Sequence, residues 1–429
     1  MLSYTTVKRT NIVRLLPDKE TTGALKTLGD RASALWNVAN YLCRQMFIKG
    51  EPVPGYSRLC ALMKDNPDYR SLPTHIGQEV LKKLSKAWAS YFRLRKLHGA
   101  GKLKDKPRPP RYRKDRKKGT RPRDFIPVKS TAAYGVEGNV LYLAVPKDIG
   151  GKRLGIPFKG IIRYRGDFKT CELVYENTNQ VWYAHLIVEL PDKELATKPV
   201  KHAAGDIGAR RTITISTQDN PMSVVYSSRA AWKDYKYWTR LIAREKSRLA
   251  TQGLKTSRHL QGLYQKRRLR LRHTMEALAS DMAAGLRRNR VTHFTVGYPV
   301  NCRDNARFGK GNELVHNFWS YKLLLDILEK HCARWGIVFE KVNERGTSSH
   351  CHICGRKVTR PRTNLVVCPV HGPMHADVNA SRNILKKKTQ PLGWDGEKAS
   401  PAWTVKRWDS HRWRSHAESA EHRVLQPAA

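Results

Sequence analysis

The chain has 429 residues, with 81 Lys or Arg against 36 Asp or Glu and a formal net charge of +45. This length allows about two to four domains with a sizeable core, which excludes a minimal binding module. The charge predicts a polyanionic partner, and nucleic acid is the expected one. Because the sequence lacks both a long apolar stretch and the apolar core of a signal peptide, we expect a soluble cytoplasmic protein with no membrane partner.

The first hundred residues predict one strand followed by helices. Residues 4–15 alternate in the manner of a strand, and apolar residues then recur at helical spacing from Leu25 to Leu42 and from Val80 to Phe92. We therefore expect a helical domain of residues 17–98 inserted after the strand. The pattern favours core packing for Trp88 and Phe92, and stacking on nucleic-acid bases is the alternative.

Residues 93–123 form a basic segment with 15 Lys or Arg and two Asp. Its prolines interrupt any helix; they are Pro107, Pro109, Pro110 and Pro122. We expect an extended segment that follows a phosphate backbone, and a disordered, solvated tail is the other interpretation.

The remaining pattern predicts a β-rich part and then an α/β part. Short β-branched and aromatic runs at residues 140–145, 160–164 and 181–189 predict a β-barrel or sheet that the N-terminal strand could complete. From residue 203, a strand hairpin, helices, a strand, a helix and a strand predict an α/β layer. The last segment, with Trp394, Trp403, Trp408 and Trp413, shows no clear periodicity. It is expected to be a poorly ordered tail, with base stacking as the alternative.

A compact set of cysteine and histidine residues predicts a metal site. A Cys-x2-Cys pair is followed 14 residues later by a second knuckle, and the four ligands are Cys351, Cys354, Cys368 and His371. Three thiolates and one imidazole at this spacing are typical of a structural Zn²⁺ site, whereas the alternative is ordinary buried thiols. Gly355 and Gly372 favour zinc, because glycine lets the backbone fold back over a metal. The five other cysteines stand singly, which suits a reducing compartment without disulfides.

Two aspartates stand where a metal-dependent phosphodiesterase needs carboxylates. Asp206 lies in a Gly-Asp-Ile-Gly turn after an apolar strand, where small neighbours permit close approach of a ligand. Asp377 follows the cysteine cluster at a predicted helix start. Hydrolysis by two metals needs such carboxylates around both ions. Taken alone, each residue would be interpreted as a turn aspartate or a helix N-cap.

Together these motifs resemble the TnpB family and the compact type V CRISPR effectors. The match covers Asp206, the run Asp377-x-Asn379-Ala-x-x-Asn383-Ile, and Thr347-Ser-Ser-His-Cys before the zinc ligands. The resemblance implies a multidomain α/β and all-β protein with an RNase H-like (RuvC) nuclease domain at residues 200–346 and 375–388, interrupted by a zinc ribbon at 347–374. It further implies a wedge-like β-barrel with the basic linker at 1–16 and 99–199, the helical recognition domain at 17–98, and the tail at 389–429.

One departure from the family pattern concerns the second carboxylate. The family usually has a glutamate at the end of an apolar strand where this chain has Gly297, and glycine cannot bind a metal. Glu344 ends the next apolar strand, and neighbouring strand ends lie about 5 Å apart. The chain resembles a rearranged subset of the family in which this glutamate reaches the same metals. The alternative is that Glu344 forms an ordinary surface ion pair with Arg345 or with a nearby basic residue.

The resemblance implies an RNA-guided, Mg²⁺-dependent DNA endonuclease. Two Mg²⁺ ions would be held by Asp206, Glu344 and Asp377, and the Zn²⁺ ion would be structural. The implied partners are a guide RNA and double-stranded target DNA with a displaced strand, recognised beside a short adjacent motif. Two alternatives stay open: a guided DNA-binding protein without nuclease activity, and an unguided, transposon-associated DNA-binding protein. The sequence does not distinguish a monomer from a dimer, or a transposon protein from a CRISPR protein.

Overall fold

The computed structural model describes residues 6–113, 125–129, 133–150, 153–191, 201–298, 309–318, 320–362, 364–389 and 402–416. The chain divides into two compact units, Met1–Asp192 and Lys193–Ala429. None of the helices in the described residues is long and apolar enough to cross a membrane.

The first unit combines a sheet with a helical insertion. Its strands are β1 (Thr6–Leu15), β2 (Ile126–Val128), β3 (Tyr134–Glu137), β4 (Val140–Ala144), β5 (Arg153–Lys159), β6 (Asp167–Glu176) and β7 (Val181–Pro191), and its helices are α1 (Lys19–Ile48), α2 (Tyr56–Met63), α3 (Pro67–Arg70) and α4 (Thr74–Gly99). The strands form one sheet in the order β2-β6-β7-β1-β5-β4-β3. The N-terminal strand is therefore central, because it pairs antiparallel with both β7 and β5.

Residues 160–164, which the sequence predicts to be a strand, lie outside the strands of this sheet. The side chain of Asn11 on β1 makes the hydrogen bonds to this segment that a neighbouring strand would otherwise make. Its Oδ1 accepts from the backbone N–H groups of Arg163 (3.0 Å) and Tyr164 (2.9 Å), and its Nδ2 donates to the Tyr164 carbonyl (2.9 Å). Asn11 is 3% exposed, so these bonds satisfy both the segment and a buried amide.

The helical insertion has an aromatic core. Asp18 caps α1 by accepting from the backbone N–H of Thr21. Trp88 on α4 is 2% exposed, and its indole N–H donates to Asn40 on α1 at 3.1 Å. Core packing is thus confirmed for Trp88, while Phe92 is partly exposed beside it, with ring centroids 5.7 Å apart.

The described part of the basic segment is not a disordered tail. Residues 93–99 continue α4, which corrects the expectation of an extended conformation there. Residues 106–113 lack regular secondary structure but are bound to α1. Asn40 donates to the Pro110 carbonyl (3.0 Å), and Asn37 exchanges two hydrogen bonds with the Arg113 backbone (2.8 and 2.6 Å). The prediction for residues 114–123 lies outside the described residues.

The second unit is an α/β layer with a small separate sheet. Its strands are β8 (His202–Asp206), β9 (Arg211–Thr217), β10 (Ser223–Ser227), β11 (His293–Tyr298), β12 (Val338–Asn343), β13 (Thr359–Arg362), β14 (Leu365–Cys368), β15 (Gly372–His375), β16 (Trp403–Trp408) and β17 (Trp413–His416). Its helices are α5 (Arg229–Thr251), α6 (Arg258–Arg288), α7 (Tyr321–Arg334) and α8 (Ala376–Lys386), with a short π-helical turn at Glu313–Phe318. The main sheet has the order β12-β11-β8-β9-β10-β16-β17, and β13, β14 and β15 form the small sheet.

The C-terminal strands correct the expectation of a poorly ordered tail for residues 402–416, while residues 390–401 and 417–429 of that tail lie outside the described residues. Strand β16 pairs parallel with β10, and β17 pairs antiparallel with β16. Trp403, Trp408 and Trp413 are 3%, 8% and 6% exposed, so burial of their rings drives this segment onto the sheet. Base stacking is therefore not available to these three rings. Trp394 lies outside the described residues.

Candidate functional site

Three parallel strands end at one edge of the main sheet. Strand β11 runs parallel to β8 on one side and to β12 on the other. Asp206 is the last residue of β8, and Glu344 directly follows β12. In α/β sheets, ligands bind preferentially at the carboxyl ends of the parallel strands. Asp206 and Glu344 both lie at such an end.

Two glycines position Asp206. A Cβ at Gly205 would lie 2.9 Å from Ile213 Cδ1 and 2.9 Å from Phe294 Cζ, so a larger residue would not fit between the neighbouring strands. Gly208 donates its backbone N–H to the Arg211 carbonyl at 3.0 Å, and a Cβ there would lie 2.9 Å from that oxygen. The Gly-Asp-Ile-Gly motif is thus required by the packing of β8 and by its tight turn into β9.

Asp377 lies in the first turn of α8. His375 is the N-cap of this helix, with its Nδ1 accepting from the backbone N–H of Val378 at 3.4 Å. The Asp377 side chain is 23% exposed. Its Oδ2 forms an ion pair with Arg211, at 3.4 Å from the arginine Nε. The sequence interpretation of Asp377 as a plain N-cap is therefore wrong, because His375 takes that position.

Glu344 occupies the space beside Gly297 on β11. In the parallel register Gly297 lies opposite Val342, two residues before Glu344. A Cβ at Gly297 would lie 3.1 Å from Glu344 Oε2 and 3.2 Å from Glu344 Cβ. Oε2 is buried and has no hydrogen-bond partner among the described residues, and within these residues Glu344 makes no ion pair with Arg345. The glutamate therefore turns inward, over the glycine.

The three carboxylates interact electrostatically. Burial raises the pKa of Asp206 well above its ordinary value, and the negative charges of Asp377 and Glu344 raise it further. Burial also raises the pKa of Glu344 and that of Asp377, the latter opposed by Arg211 and Arg360. Like charges crowded into a buried site disfavour one another, and a bound cation would reverse that penalty.

Polar side chains along one face of α8 hold the loop that carries Glu344. The Glu344 carbonyl accepts from the Thr347 hydroxyl (2.7 Å) and backbone N–H (3.0 Å). Asn383 donates to the Thr347 carbonyl at 2.8 Å, and Lys387, one turn further on, donates to the Asn343 carbonyl at 3.0 Å. The helix that carries Asp377 thus also fixes both ends of the Glu344 loop.

Asn379 connects α8 to the cysteine cluster. Its Oδ1 accepts from the backbone N–H of His352 at 2.8 Å, and its Nδ2 donates to the His350 carbonyl at 2.9 Å. These residues flank Cys351, and Asn379 is 1% exposed. The two asparagines of the Asp-x-Asn-Ala-x-x-Asn run are therefore structural, and they tie Asp377, Glu344 and the cysteine cluster together.

The opposite side of α8 is anchored on the sheet. The Ser381 hydroxyl lies 2.6 Å from the Ser216 hydroxyl of β9. Arg382 donates to the carbonyls of Asn220 (2.8 Å) and Pro221 (2.9 Å) in the turn between β9 and β10. With bonds on both sides, the helix has little freedom to move Asp377.

The cysteine cluster can hold a metal ion. The ligand atoms of Cys351, Cys354, Cys368 and His371 all lie within 4.8 Å of one another. Cys354 Sγ is 3.6 Å from Cys368 Sγ, and His371 Nδ1 is 3.7 Å from Cys351 Sγ and 3.6 Å from Cys368 Sγ. Tetrahedral Zn²⁺ with ordinary bond lengths requires separations of about 3.5 to 3.8 Å. Among the described residues this is the one set of three or more ligands that meets this distance, so the oxygens of Asp206, Glu344 and Asp377 do not all lie within 4.8 Å of one another.

Local geometry shifts the pKa values of two thiols of this cluster in opposite directions, and it favours the thiolate form at Cys368. Burial raises the pKa of the Cys351 thiol to about 11. Burial also raises the pKa of Cys368, but hydrogen bonds from the backbone N–H groups of His371 and Val370 outweigh it and lower the pKa to about 6. Gly355 and Gly372 have φ of +72° and +71°, which is the left-handed conformation that the sequence expectation required.

Two arginines of the site were not identified from the sequence. Arg211 begins β9 and pairs with Asp377, and Arg360 on β13 interacts electrostatically with Asp206 and Asp377. In a chain with 81 Lys or Arg, no local signal marks these two. Their positive charges give the carboxylate site a means of attracting a phosphate group.

The chain is similar to known proteins over nearly its whole length. It matches the family model described as "Probable transposase" at residues 185–303 and the one described as "Cas12f1-like, TNB domain" at residues 321–384. It is 30% identical over 420 residues to the TnpB-like protein ORF457 of Acidianus two-tailed virus, covering 89% of this chain and 86% of that relative.

Two solved structures share its fold. One is the Cas12f1–sgRNA–target DNA complex, with a TM-score of 0.59 and 14% identity over 86% of this chain and 83% of that chain. The other is the mini RNA-guided endonuclease CRISPR-Cas phi3, with a TM-score of 0.51 and 10% identity over 89% and 92%.

Proposed function

The chain belongs to the family of TnpB-like proteins, as the resemblance predicted, and we propose that it is an RNA-guided DNA endonuclease. The observation that carries the proposal is the convergence of Asp206, Glu344 and Asp377 at one sheet edge, where burial raises the pKa of each carboxyl group and the charges of the other two act on Asp206. Carboxyl groups with pKa values raised in this way cluster at functional sites.

The strand order supports an RNase H-like, RuvC-type domain. Strands β8 to β12 lie in the order β12-β11-β8-β9-β10, with β9 antiparallel to β8 and both β11 and β12 parallel to β8. Strand β8 is therefore central in this set, with the antiparallel pair β9 and β10 on one side and the parallel strands β11 and β12 on the other. We assign the nuclease domain to residues 200–346 and 375–388, with the zinc ribbon at 347–374. The C-terminal strands are added to its sheet.

Asp206, Glu344 and Asp377 are the groups that would hold two Mg²⁺ ions. Hard carboxylate oxygens suit this ion. The buried, unpartnered Glu344 Oε2 and the raised pKa values fit a site that is completed by cations. Asp206 would contribute to holding both ions, because the negative charges of both other carboxylates act on it. When bound, the ions would supply an activated water and stabilise the leaving oxygen.

The protein's own residues orient the reaction. Asn383 and Lys387 fix the loop of Glu344, and His375 fixes the start of the helix that carries Asp377. Arg211 and Arg360 add positive charge, which would hold the scissile phosphate while the carboxylates remain ionised. The zinc ion of the ribbon would take no part in the chemistry, since its four protein ligands leave no open position.

Guide RNA and target DNA are the partners that the charge and the relatives favour. A net charge of +45 can neutralise many phosphates. The similar Cas12f1 structure is a complex with RNA and target DNA. In the first unit we assign the strands to a wedge-like β-barrel and α1 to α4 to a recognition domain, with the α1-bound basic segment presenting cations to a nucleic-acid backbone.

Two other functions would leave the fold unchanged. A guided binder without cleavage requires Glu344 to point away from the site, and its contact with Gly297 argues for the active enzyme instead. An unguided DNA-binding protein of a mobile element would need no guide RNA.

Purification of the protein with its bound nucleic acid tests the proposal. We expect a discrete RNA to co-purify, and Mg²⁺-dependent cleavage of a plasmid matching that RNA should be lost after ribonuclease treatment or with Asp206→Asn. If no discrete RNA co-purified and DNA binding were insensitive to ribonuclease, guidance would be excluded. Guided binding without cleavage by the wild-type protein would indicate the inactive alternative.

A further inference from the structure

We propose that Trp403, on the C-terminal strand β16, is a positioning residue for metal binding that fixes Asp377 through His375. The inference rests on the proposed function, in that Asp377 is taken to hold a divalent cation. It assigns a role to the segment of residues 402–416, which no motif identifies as part of the site.

Strand β16 delivers Trp403 to the start of α8. It pairs parallel with β10 in an uninterrupted register, in which Trp403 lies opposite Ser223. The indole is 3% exposed. Its ring centroid lies 5.2 Å from that of His375, with an angle of 46° between the rings. Trp403 therefore contacts the residue that caps the helix of Asp377.

The contact on His375 controls the first turn of α8. His375 is 4% exposed, and its Nδ1 accepts from the backbone N–H of Val378. That bond requires one orientation of the imidazole ring. The Trp403 indole packs against the ring and so restricts its rotation. Since capping fixes where a helix begins, a rotated His375 would release the turn that contains Asp377.

A second contact reaches the same turn from the other side of Asp377. Val378 is 1% exposed and packs in one cluster with Trp403, Val405 and Val225. The residues at positions 375 and 378 thus both rest on β16, and Asp377 lies between them. Metal ligands must be held within about 0.5 Å of their productive positions by the packing of their supports. Trp403 is the side chain shared by both supports.

The alternative is that Trp403 only contributes to the core. Trp413 on β17 provides a matched control, because it belongs to the same strand pair and is 6% exposed. Its ring packs on Tyr226 (centroids 5.3 Å apart) and Trp408, and its indole N–H donates to the Thr274 carbonyl at 3.4 Å. Among the described residues its ring contacts Tyr226 and Trp408 but not His375, so its loss should reduce stability without acting on Asp377.

The test is Mn²⁺ binding to the full-length, zinc-loaded chain, followed by electron paramagnetic resonance, with thermal melting in parallel. Trp403→Leu keeps a buried apolar side chain but removes the ring, and we expect it to weaken the Mn²⁺ binding that depends on Asp206 by about tenfold or more. Trp403→Phe, which keeps a ring against His375, should restore most of the affinity. Trp413→Leu should lower the melting temperature comparably and leave Mn²⁺ affinity within about twofold.

The outcomes separate the inference from the proposed function. Equal Mn²⁺ binding by wild-type protein and Asp206→Asn would reject the carboxylate metal site itself. If the wild-type site binds Mn²⁺ and Trp403→Leu binds it equally well, or if the Trp413 control loses as much affinity, Trp403 is not a positioning residue. Should Trp403→Leu fail to fold, Trp403→Met, which also removes the ring, carries the same test: Mn²⁺ affinity well below that of the Trp413 control would support the inference, and wild-type affinity would contradict it.

Discussion

Glu344 and Gly297 share one space at the carboxyl edge of two parallel strands. The Oε2 atom of Glu344 lies 3.1 Å from the point where a Cβ of Gly297 would stand, and the Glu344 Cβ lies 3.2 Å from it. A side chain at position 297 and the present conformation of Glu344 therefore exclude each other. The glutamate from the next strand takes the space that a side chain at position 297 would need.

Gly297→Ala should impair the site although it adds only one methyl group. The methyl carbon would lie 2.8 Å from Ile384 Cδ1 as well as against Glu344. The Ile384 side chain must therefore shift although it is completely buried, and Glu344 must move away from the methyl group as well. We expect the rate of target cleavage to fall at least about tenfold.

The matched control for this change is Gly262→Ala on α6, where a Cβ meets nothing within 4 Å. Alanine is the better helix former, so this variant should be as active as wild type and slightly more stable. If Gly297→Ala cleaved at the wild-type rate, Glu344 would not need the space above the glycine.

Asn379→Ala should uncouple the ribbon from α8. It removes the acceptor of the His352 backbone N–H and the donor to the His350 carbonyl. Leaving a buried N–H unpaired costs about 1 to 3 kcal/mol, so the free energy of unfolding should fall by about that amount. Cleavage should fall more than guided DNA binding, with zinc retained.

Chemical denaturation and metal analysis check this prediction, with Asn289→Ala as the control. Asn289 donates a single exposed bond to the Gly285 carbonyl at the end of α6. Loss of zinc in Asn379→Ala would mean that this residue supports the zinc site itself rather than the attachment of the ribbon to α8.

The ribbon should bind one zinc ion per chain. His371→Ala removes one of four ligands, and we expect the zinc content measured by plasma mass spectrometry to fall from one towards zero. Because Glu344 and the ribbon are joined through Thr347, cleavage should fall as well. His411→Ala, at an exposed turn between β16 and β17, should retain both. Full zinc occupancy in His371→Ala would remove this histidine from the ligand set.

His202 should make the stability of the protein depend on pH. Burial lowers its pKa, as do the neighbouring His293 on β11 and Lys388 after α8, while Glu340 on β12 opposes them. The unfolded chain then binds a proton, at about pH 6.5, that the folded chain does not. The stabilisation is therefore fully present above that pH and is lost as the pH falls.

Melting temperatures measured from pH 7.5 to 5.5 check this sign. The decrease on acidification should be smaller in His202→Phe than in wild type, whereas His411→Phe should behave as wild type. A steeper acid loss in His202→Phe would reverse the assignment.

Local spacing was sufficient for the parts of the site that lie close in sequence. The four ribbon ligands fall within 21 residues, from Cys351 to His371, and the structure brings them together. The run from Asp377 to Asn383 lies within the single helix α8, so its pattern was visible in the sequence. The placement of Glu344 beside Gly297 could be inferred only because both end neighbouring parallel strands.

Contacts between distant segments could not be predicted in the same way. Strand β16 has only six residues, which is too short for a clear periodic pattern. It pairs with β10, which lies far away in the chain, so no local pattern connects the two strands. Arg211 and Arg360 reach Asp377 from the main sheet and from the ribbon. The residues 160–164 resemble a strand, but a single side chain, Asn11, satisfies their backbone instead.

The most direct test of the account is the rate of target-DNA cleavage by Glu344→Gln, measured with guide RNA and Mg²⁺ in a single-turnover assay. Glutamine preserves the shape but removes the charge, so cleavage should fall by more than about 100-fold while guided binding, measured by mobility shift, stays nearly intact. Glu340→Gln, on the same strand but paired with Lys388, should cleave like wild type. Wild-type cleavage by Glu344→Gln would contradict the assignment of Glu344 as the second carboxylate of the site.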